Sequence, residues 1–321
     1  DQVKALAGPS LDLMSSARDY WELKTSTEHD RIAGAFVGLA VGDALGAPVE
    51  FHTRGTFPEV TEYRAGGKFN LPAGAWTDDT AMALCLAQSL IEKGCFNADD
   101  LLKRFSRWLE KGENTSTGVS VGVGQNTLRT LGDFWRNGTL VAERLGNKND
   151  GNGSLMRLSP VACHAFHDLA RVRDLASAQS RTTHASEVAD ECCQFLGELL
   201  ARIISGQSYH AAKANLHKSE WSYPITSILE ADYKMVGESG IKSTGYVVET
   251  LQAAIWAVEN SPSFNTAILK AVNLGDDADT IGAVTGQIAG AIHGYSQIPK
   301  HLKTGLNNER KLYVTSQFLK I

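Results

Sequence analysis

Two short acidic clusters hold the residues whose types and spacing can do chemistry. They are Trp76-Thr77-Asp78-Asp79-Thr80 and, roughly two hundred residues later, Gly275-Asp276-Asp277-Ala278-Asp279-Thr280. Each ends in Asp-Thr and runs straight into small and apolar residues that read as a buried helix. One carboxylate at a helix start is ordinary, because free N–H groups and the helix dipole favour it. Repeating such a cluster at a second helix start exceeds what capping needs. Clustered carboxylates repel one another unless a cation neutralises them, and hard divalent ions take oxygen ligands of this kind. Neither cluster contains Cys or His, so the expected ion is magnesium or manganese rather than zinc. Asp277 and Asp279 would splay about 200° apart inside a helix. To meet at one centre they must sit on a turn or cap.

The elements that position these clusters are expected to be helical. Segments 81–93, 98–111, 186–205, 246–259 and 264–272 carry apolar residues at three- and four-residue spacing. Asn97, Ser186 and Ser263 supply helix-start chemistry just ahead of three of them. Only 57–64 hints at a strand. No tandem repeat or Pro/Ser-rich linker divides the chain, so the expected fold is all-α, a compact single-domain multi-helix bundle. Typical helix and loop lengths give on the order of 13–18 helices. Trp108, Trp135, Trp221 and Trp256 are expected in the core.

Glycine sets the arrangement of two of these helices. Gly34, Gly38, Gly42 and Gly46 recur every fourth residue, as do Gly282, Gly286, Gly290 and Gly294. Each glycine costs a helix about 1 kcal/mol relative to alanine, and a smooth glycine face repays that by admitting another backbone closely. The two ridges are expected to pack against each other. The second begins at the Asp277–Thr280 cluster, while the first passes Asp43 and leads to Glu50.

Composition narrows the class of function. The chain has 321 residues, 43% hydrophobic and 21% charged, with a net charge of −5. That balance and a pI near 6.0 leave no basic footprint for nucleic acid. The apolar stretches are read as broken by Asp, Gln or His before the roughly 18 residues of a membrane span. Five cysteines without zinc spacing suit reduced thiols in a cytoplasmic protein.

Four motifs in order resemble the ADP-ribosylglycohydrolase family from about residue 30 onward. They are Arg31-Ile32-Ala33-Gly34 through Gly42-Asp43-Ala44-Leu45-Gly46-Ala47-Pro48-Val49-Glu50, then Trp76 to Thr80. Gly151-Asn152-Gly153-Ser154-Leu155-Met156-Arg157 follows, and Asn273 to Thr280 closes the set. The resemblance implies an all-α, two-metal hydrolase that removes ADP-ribose from modified proteins. It implies Thr77, Asp78, Asp79, Asp277, Asp279 and Thr280 as ligands of two divalent cations. Asp79 also enters the catalytic pair with Glu50, which resembles the family's mobile acidic residue and is the candidate general acid/base or gate. Cleavage at the anomeric carbon of the distal ribose passes through an oxocarbenium-like state that nearby anionic oxygens stabilise.

The substrate side is read from glycine-rich turns. Gly151, Asn152, Gly153 and Ser154 open an apolar stretch through Met156, a turn suited to cradling phosphates with backbone N–H groups. Thr182-Thr183-His184 resembles the family's Thr-His pair beside the ligand, which makes His184 a candidate contact. Many family members carry Asp-Ile-Gly where this chain has Gly122-Val123-Gly124. The acid is missing here, and Gly122 and Gly124 remain candidates for the ligand-facing loop.

Residues 1–28 precede the resembling region, 29–321, and are unusually apolar, with Leu11, Leu13, Met14, Tyr20, Trp21 and Leu23. Some bacterial immunity proteins against ADP-ribosylating toxins are similar to this family and carry an N-terminal extension that occludes the toxin. The expected partners are therefore an ADP-ribosylated protein substrate and a cognate ADP-ribosyltransferase toxin bound through residues 1–28. A binding protein that acts mainly by occlusion, or a catalytically silent structural relative, is the competing expectation.

Overall fold

The two glycine ridges meet face to face. In a computed structural model, which describes residues 27–216, 220–235 and 237–320, helix α1 spans Thr27–Gly46 and a second ridge helix spans Ala278–His293. They run antiparallel with Gly34 against Gly290, Gly38 against Gly286, and Gly42 against Gly282. A Cβ placed on Gly42 would lie 1.9 Å from the carbonyl oxygen of Gly282, so no side chain fits between the backbones. Gly46 ends the series against Ala278, which brings the C-terminal end of α1 to the Asp277–Thr280 cluster.

Twelve further α-helices complete the described residues. After α1 come α2 (Asp78–Lys93), α3 (Ala98–Lys111), α4 (Gln125–Asn137) and α5 (Ser159–Ala165). Next are α6 (Leu169–Thr183), α7 (Glu187–Ile204), α8 (Tyr209–Leu216) and α9 (Tyr223–Leu229). Helices α10 (Val247–Glu259) and α11 (Phe264–Val272) precede the second ridge, which is α12, and α13 (Lys300–Gly305) and α14 (Glu309–Gln317) follow it. The fold is all-α, as expected. Helix α12 sits between α1, α10 and α11, and α6 pairs with α7.

Local signals work as read. The side chains of Asn97, Ser186 and Ser263 accept from Asp100, Ala189 and Thr266 N–H at the starts of α3, α7 and α11. Glycines in the left-handed conformation close α2, α3 and α4.

Three expectations need correction. Segment 57–64 is not a strand. The backbone of Val60 is satisfied not by a neighbouring strand but by the Asn273 side chain, which pairs with both its N–H and C=O at 2.8 and 3.0 Å. Trp135 is 46% exposed, its indole N–H donating to Ser106 Oγ at the rim of α3, whereas Trp108 and Trp256 are buried. Residues 28–49 are long and apolar enough to cross a membrane, since Asp43 alone interrupts the apolar run after Arg31, but residues 32–49 are buried within the protein.

All five cysteines are free, and only Cys95 is exposed. The apolar extension of residues 1–28 lies, up to residue 26, outside the described residues. Helix α1 begins at Thr27, and Glu28 pairs with Lys320 near the other end of the chain.

Candidate functional site

Asp43 organises the first acidic cluster. It lies on the buried face of α1 and accepts from the Thr77 N–H at 3.0 Å and the Thr77 hydroxyl at 2.8 Å. The Thr80 N–H and hydroxyl donate to it at 3.0 and 2.6 Å. The N-terminus of α2 is thus capped by a carboxylate from another helix, while Thr77 makes no cap bond of its own. That cap brings Asp79 to Asp279 of α12, while the Asp78 carboxylate lies against Gly122.

The ridge register brings the second cluster to the same place. Asp277 occupies the N-cap of α12 and Asp279 its first turn, the cap geometry that two carboxylates two residues apart require. Oxygens of Asp43, Asp79 and Asp279 lie within 4.8 Å of one another, and so do those of Glu50, Asp277 and Asp279. Asp279 belongs to both groups.

The donor inventory fits cations. Thr77 Oγ lies 3.3 Å from Asp79 Oδ2 and 3.4 Å from Asp279 Oδ2, yet its single hydrogen goes to Asp43. Thr77 therefore brings an oxygen, and no hydrogen, to Asp79 and Asp279. Asp79 Oδ1 and Glu50 Oε2 are buried and accept no hydrogen bond. An unpaired buried carboxylate is costly, and oxygen-rich cation sites are what such atoms suit.

Electrostatics record the same strain. Burial, then repulsion from Asp43 and Asp78, pushes Asp79 well above the carboxylate range. Burial, then Glu50 and Asp79, does so for Asp279. Asp78 rises to about 7 and Asp43 to about 6, both chiefly through burial. Glu50 follows a short turn at Ala47–Val49, is only 7% exposed, and is pushed up to about 8 by burial and by Asp277, Asp78 and Asp43. Its neighbours are pinned to the second cluster: Phe51 N–H donates to Asp276 O, and Asp276 N–H donates to His52 O, each at 2.7 Å.

The other sequence-named residues divide by role. Asn152 donates to Asp277 Oδ2 at 2.6 Å and to Thr250 at 2.8 Å, so its amide holds a carboxylate rather than facing open space. Ser154 is fully buried against Ser180, and Met156 lies in the core. Gly151 and Gly153 lie against the His184 ring. Gly122 adopts a positive φ of 83° with Asp78 so close that a Cβ would come within 2.1 Å of its Oδ1, while Gly124 caps α4 in open space. Thr280 is buried beside Asp279, whose Oδ1 accepts its N–H. Asp43 and Thr80 are site residues that the sequence reading did not assign. The available signal was a lone carboxylate inside an apolar, glycine-ridged helix, and a Thr that mirrors Thr280.

A helical bundle with carboxylates gathered at two facing helix ends is the frame of one family of hydrolases. The chain belongs to the ADP-ribosylglycohydrolase family, whose profile matches residues 24–319. The ADP-ribosylarginine hydrolase Tri1 of Serratia proteamaculans is 40% identical over 271 residues, covering 84% of this chain and 74% of that protein. The ADP-ribosyl-[dinitrogen reductase] glycohydrolase of Rhodospirillum rubrum is 33% identical, covering 84% of this chain and 88% of its own. A solved structure described as an ADP-ribosylglycohydrolase-related protein complex superposes with a TM-score of 0.78 at 36% identity, over 91% of this chain and 97% of that one.

Proposed function

We propose that this protein is a metal-dependent hydrolase that removes ADP-ribose from modified protein side chains by cleavage at C1″ of the distal ribose. Arginine is the first side chain to test, because two relatives at 40% identity bear the name ADP-ribosylarginine hydrolase. The observation that carries the reading is the pair of carboxylate groups sharing Asp279, with Asp79 Oδ1 and Glu50 Oε2 buried and without a hydrogen-bond partner.

Thr77, Asp78, Asp79, Asp277, Asp279 and Thr280 would hold two divalent cations, magnesium or manganese by the chemistry of the donors. When bound, such a pair supplies orientation of a water and of the ribose hydroxyls, together with charge stabilisation. The chain's own residues do the rest. Asp43 fixes the Thr77–Thr80 turn, and Asn152 fixes Asp277. Glu50, which burial and then Asp277, Asp78 and Asp43 hold above the ordinary carboxylate range in the metal-free protein, is the candidate acid for the departing side chain. Burial of the acids keeps bulk water from competing for the anomeric carbon. Gly151, Gly153, Gly122, Gly124 and His184 form the substrate-facing loops in this reading.

The test uses a protein carrying ADP-ribosylated arginine, incubated with the enzyme and magnesium and weighed by mass spectrometry. Loss of one ADP-ribose by the parent and not by Asp279→Asn is the expected result. No release with either magnesium or manganese would overturn the reading. An antitoxin role extends it, and rests on the apolar residues 1–28.

A further inference from the structure

Arg157 is a fully buried guanidinium whose hydrogen bonds go to neutral oxygens. Its Nε donates to Gln179 Oε1 at 2.8 Å, and its Nη2 donates to Gln179 O at 2.9 Å and Thr183 Oγ at 2.8 Å. The Phe105 ring covers it at 4.8 Å, and Nη1 is buried with no partner. A desolvated cation without a carboxylate is expensive, so its placement calls for a reason beyond packing.

The hydroxyl it grips supplies one. Thr183 Oγ lies 2.7 Å from His184 Nδ1. Arginine can only donate, so Thr183 Oγ accepts from Nη2 and has one hydrogen of its own to give. Thr183 Oγ has no other acceptor among the described residues, so that hydrogen goes to Nδ1, which then carries no proton of its own. A neutral imidazole carries its single proton on the other nitrogen. Burial and the Arg157 charge push His184 down to about 3, which keeps the ring neutral. Its far edge faces the Gly151–Gly153 loop: a Cβ on Gly153 would fall 2.9 Å from Cε1 and 3.1 Å from Nε2. Only glycine leaves the ring that position.

We infer that Arg157 and Thr183 are positioning residues that fix the His184 tautomer, so that Nε2–H is presented as a hydrogen-bond donor at the Gly151–Gly153 loop. The ligand chemistry this suits is an acceptor oxygen, on a phosphate or on a sugar, of the ADP-ribose unit. The identity of that ligand rests on the function proposed above; the tautomer does not.

Nitrogen NMR of metal-free protein with labelled histidine, with the His184 signals assigned by their loss in His184→Asn, reads the tautomer directly. The expected spectrum has a protonated Nε2 and an unprotonated Nδ1 displaced by the hydrogen bond it accepts. In Thr183→Val the Nδ1 signal should move to the position of a free imidazole nitrogen, and Thr183→Ser should restore it. Calorimetry with ADP-ribose and magnesium should show about tenfold weaker binding for Thr183→Val, the worth of one ordered hydrogen bond. A proton on Nδ1 in the parent, or an Nδ1 signal unmoved in Thr183→Val, would overturn the inference. If the NMR result holds and the parent binds no ADP-ribose, the positioning stands and the glycohydrolase reading fails instead.

Discussion

Asn152 and Asp277, 125 residues apart in the chain, are joined by an amide-to-carboxylate hydrogen bond of 2.6 Å. The same amide reaches Thr250, and the Asn152 N–H reaches Gly245 O, so the loop before α10 is tied to the acid at the start of α12. Asn152→Ala leaves Asp277 free to swing. A fall in kcat of about tenfold to a hundredfold is expected, the usual cost of losing a partner that orients a metal ligand. Parental kcat and parental magnesium dependence together would refute that role.

Magnesium should stabilise the folded parent in proportion to its binding, because it has no organised site on the unfolded chain. Asp279 contributes to both carboxylate groups. Asp279→Asn should therefore abolish the magnesium-dependent rise in Tm while raising the Tm of the metal-free protein, as buried repulsion is relieved. Melting curves with and without chelator decide it, and an undiminished magnesium shift in the variant would sink the assignment.

Glu50 gives a pH dependence with a definite sign. Its folded value of about 8 stands above the ordinary 4.5. Between those limits the folded protein holds a proton that the unfolded chain has released, so stability falls as pH rises through the window. Glu50→Gln removes that loss. In chelator, the variant's advantage over the parent should grow from pH 4.5 upward, level off above pH 8, and reach on the order of 5 kcal/mol. A constant offset across the whole range would show that Glu50 is not desolvated.

Alanine for glycine usually stabilises a helix by about 1 kcal/mol, and at Gly42 the sign should reverse. The new Cβ would meet the Gly282 carbonyl at 1.9 Å, with only backbone to give way. Gly42→Ala should lose about 4 kcal/mol or more in denaturant unfolding. Gly132→Ala, on a helix with nothing within 4 Å, is the control and should be neutral or stabilising. Equal behaviour of the two variants would disprove the close helix contact.

Residues 1–28 separate an enzyme from an occluding partner. Their deletion should leave hydrolysis intact and remove tight binding to a cognate ADP-ribosyltransferase. Equal affinity for the transferase with and without the segment, measured by calorimetry, would rule the occluding role out.

Much of this was legible in the sequence because the decisive features are periodic. Every fourth residue glycine announced the ridges, and Asp-Thr at two helix starts announced where the acids gather. Asn97, Ser186 and Ser263 marked helix starts through chemistry that acts within three residues. What stayed hidden acts across the chain. Asp43 caps a helix 34 residues away, which no local pattern encodes. Asn152 looked like a turn residue, and its bond to Asp277 exists only once α10 and α12 lie side by side. Segment 57–64 read as a strand, but the backbone of Val60 is satisfied by a single distant amide, that of Asn273.

The glycine ridge makes α1 and α12 a caliper with fixed jaws. Where side chains separate two helices, a change of volume can shift the spacing by fractions of an ångström; here carbonyl meets Cα and nothing can be trimmed or enlarged. The spacing of the helix ends that carry Asp43 and Asp279 is therefore set by backbone. A change at any ridge glycine is felt at the acids, because Gly46 lies directly against Ala278 at the start of the second cluster.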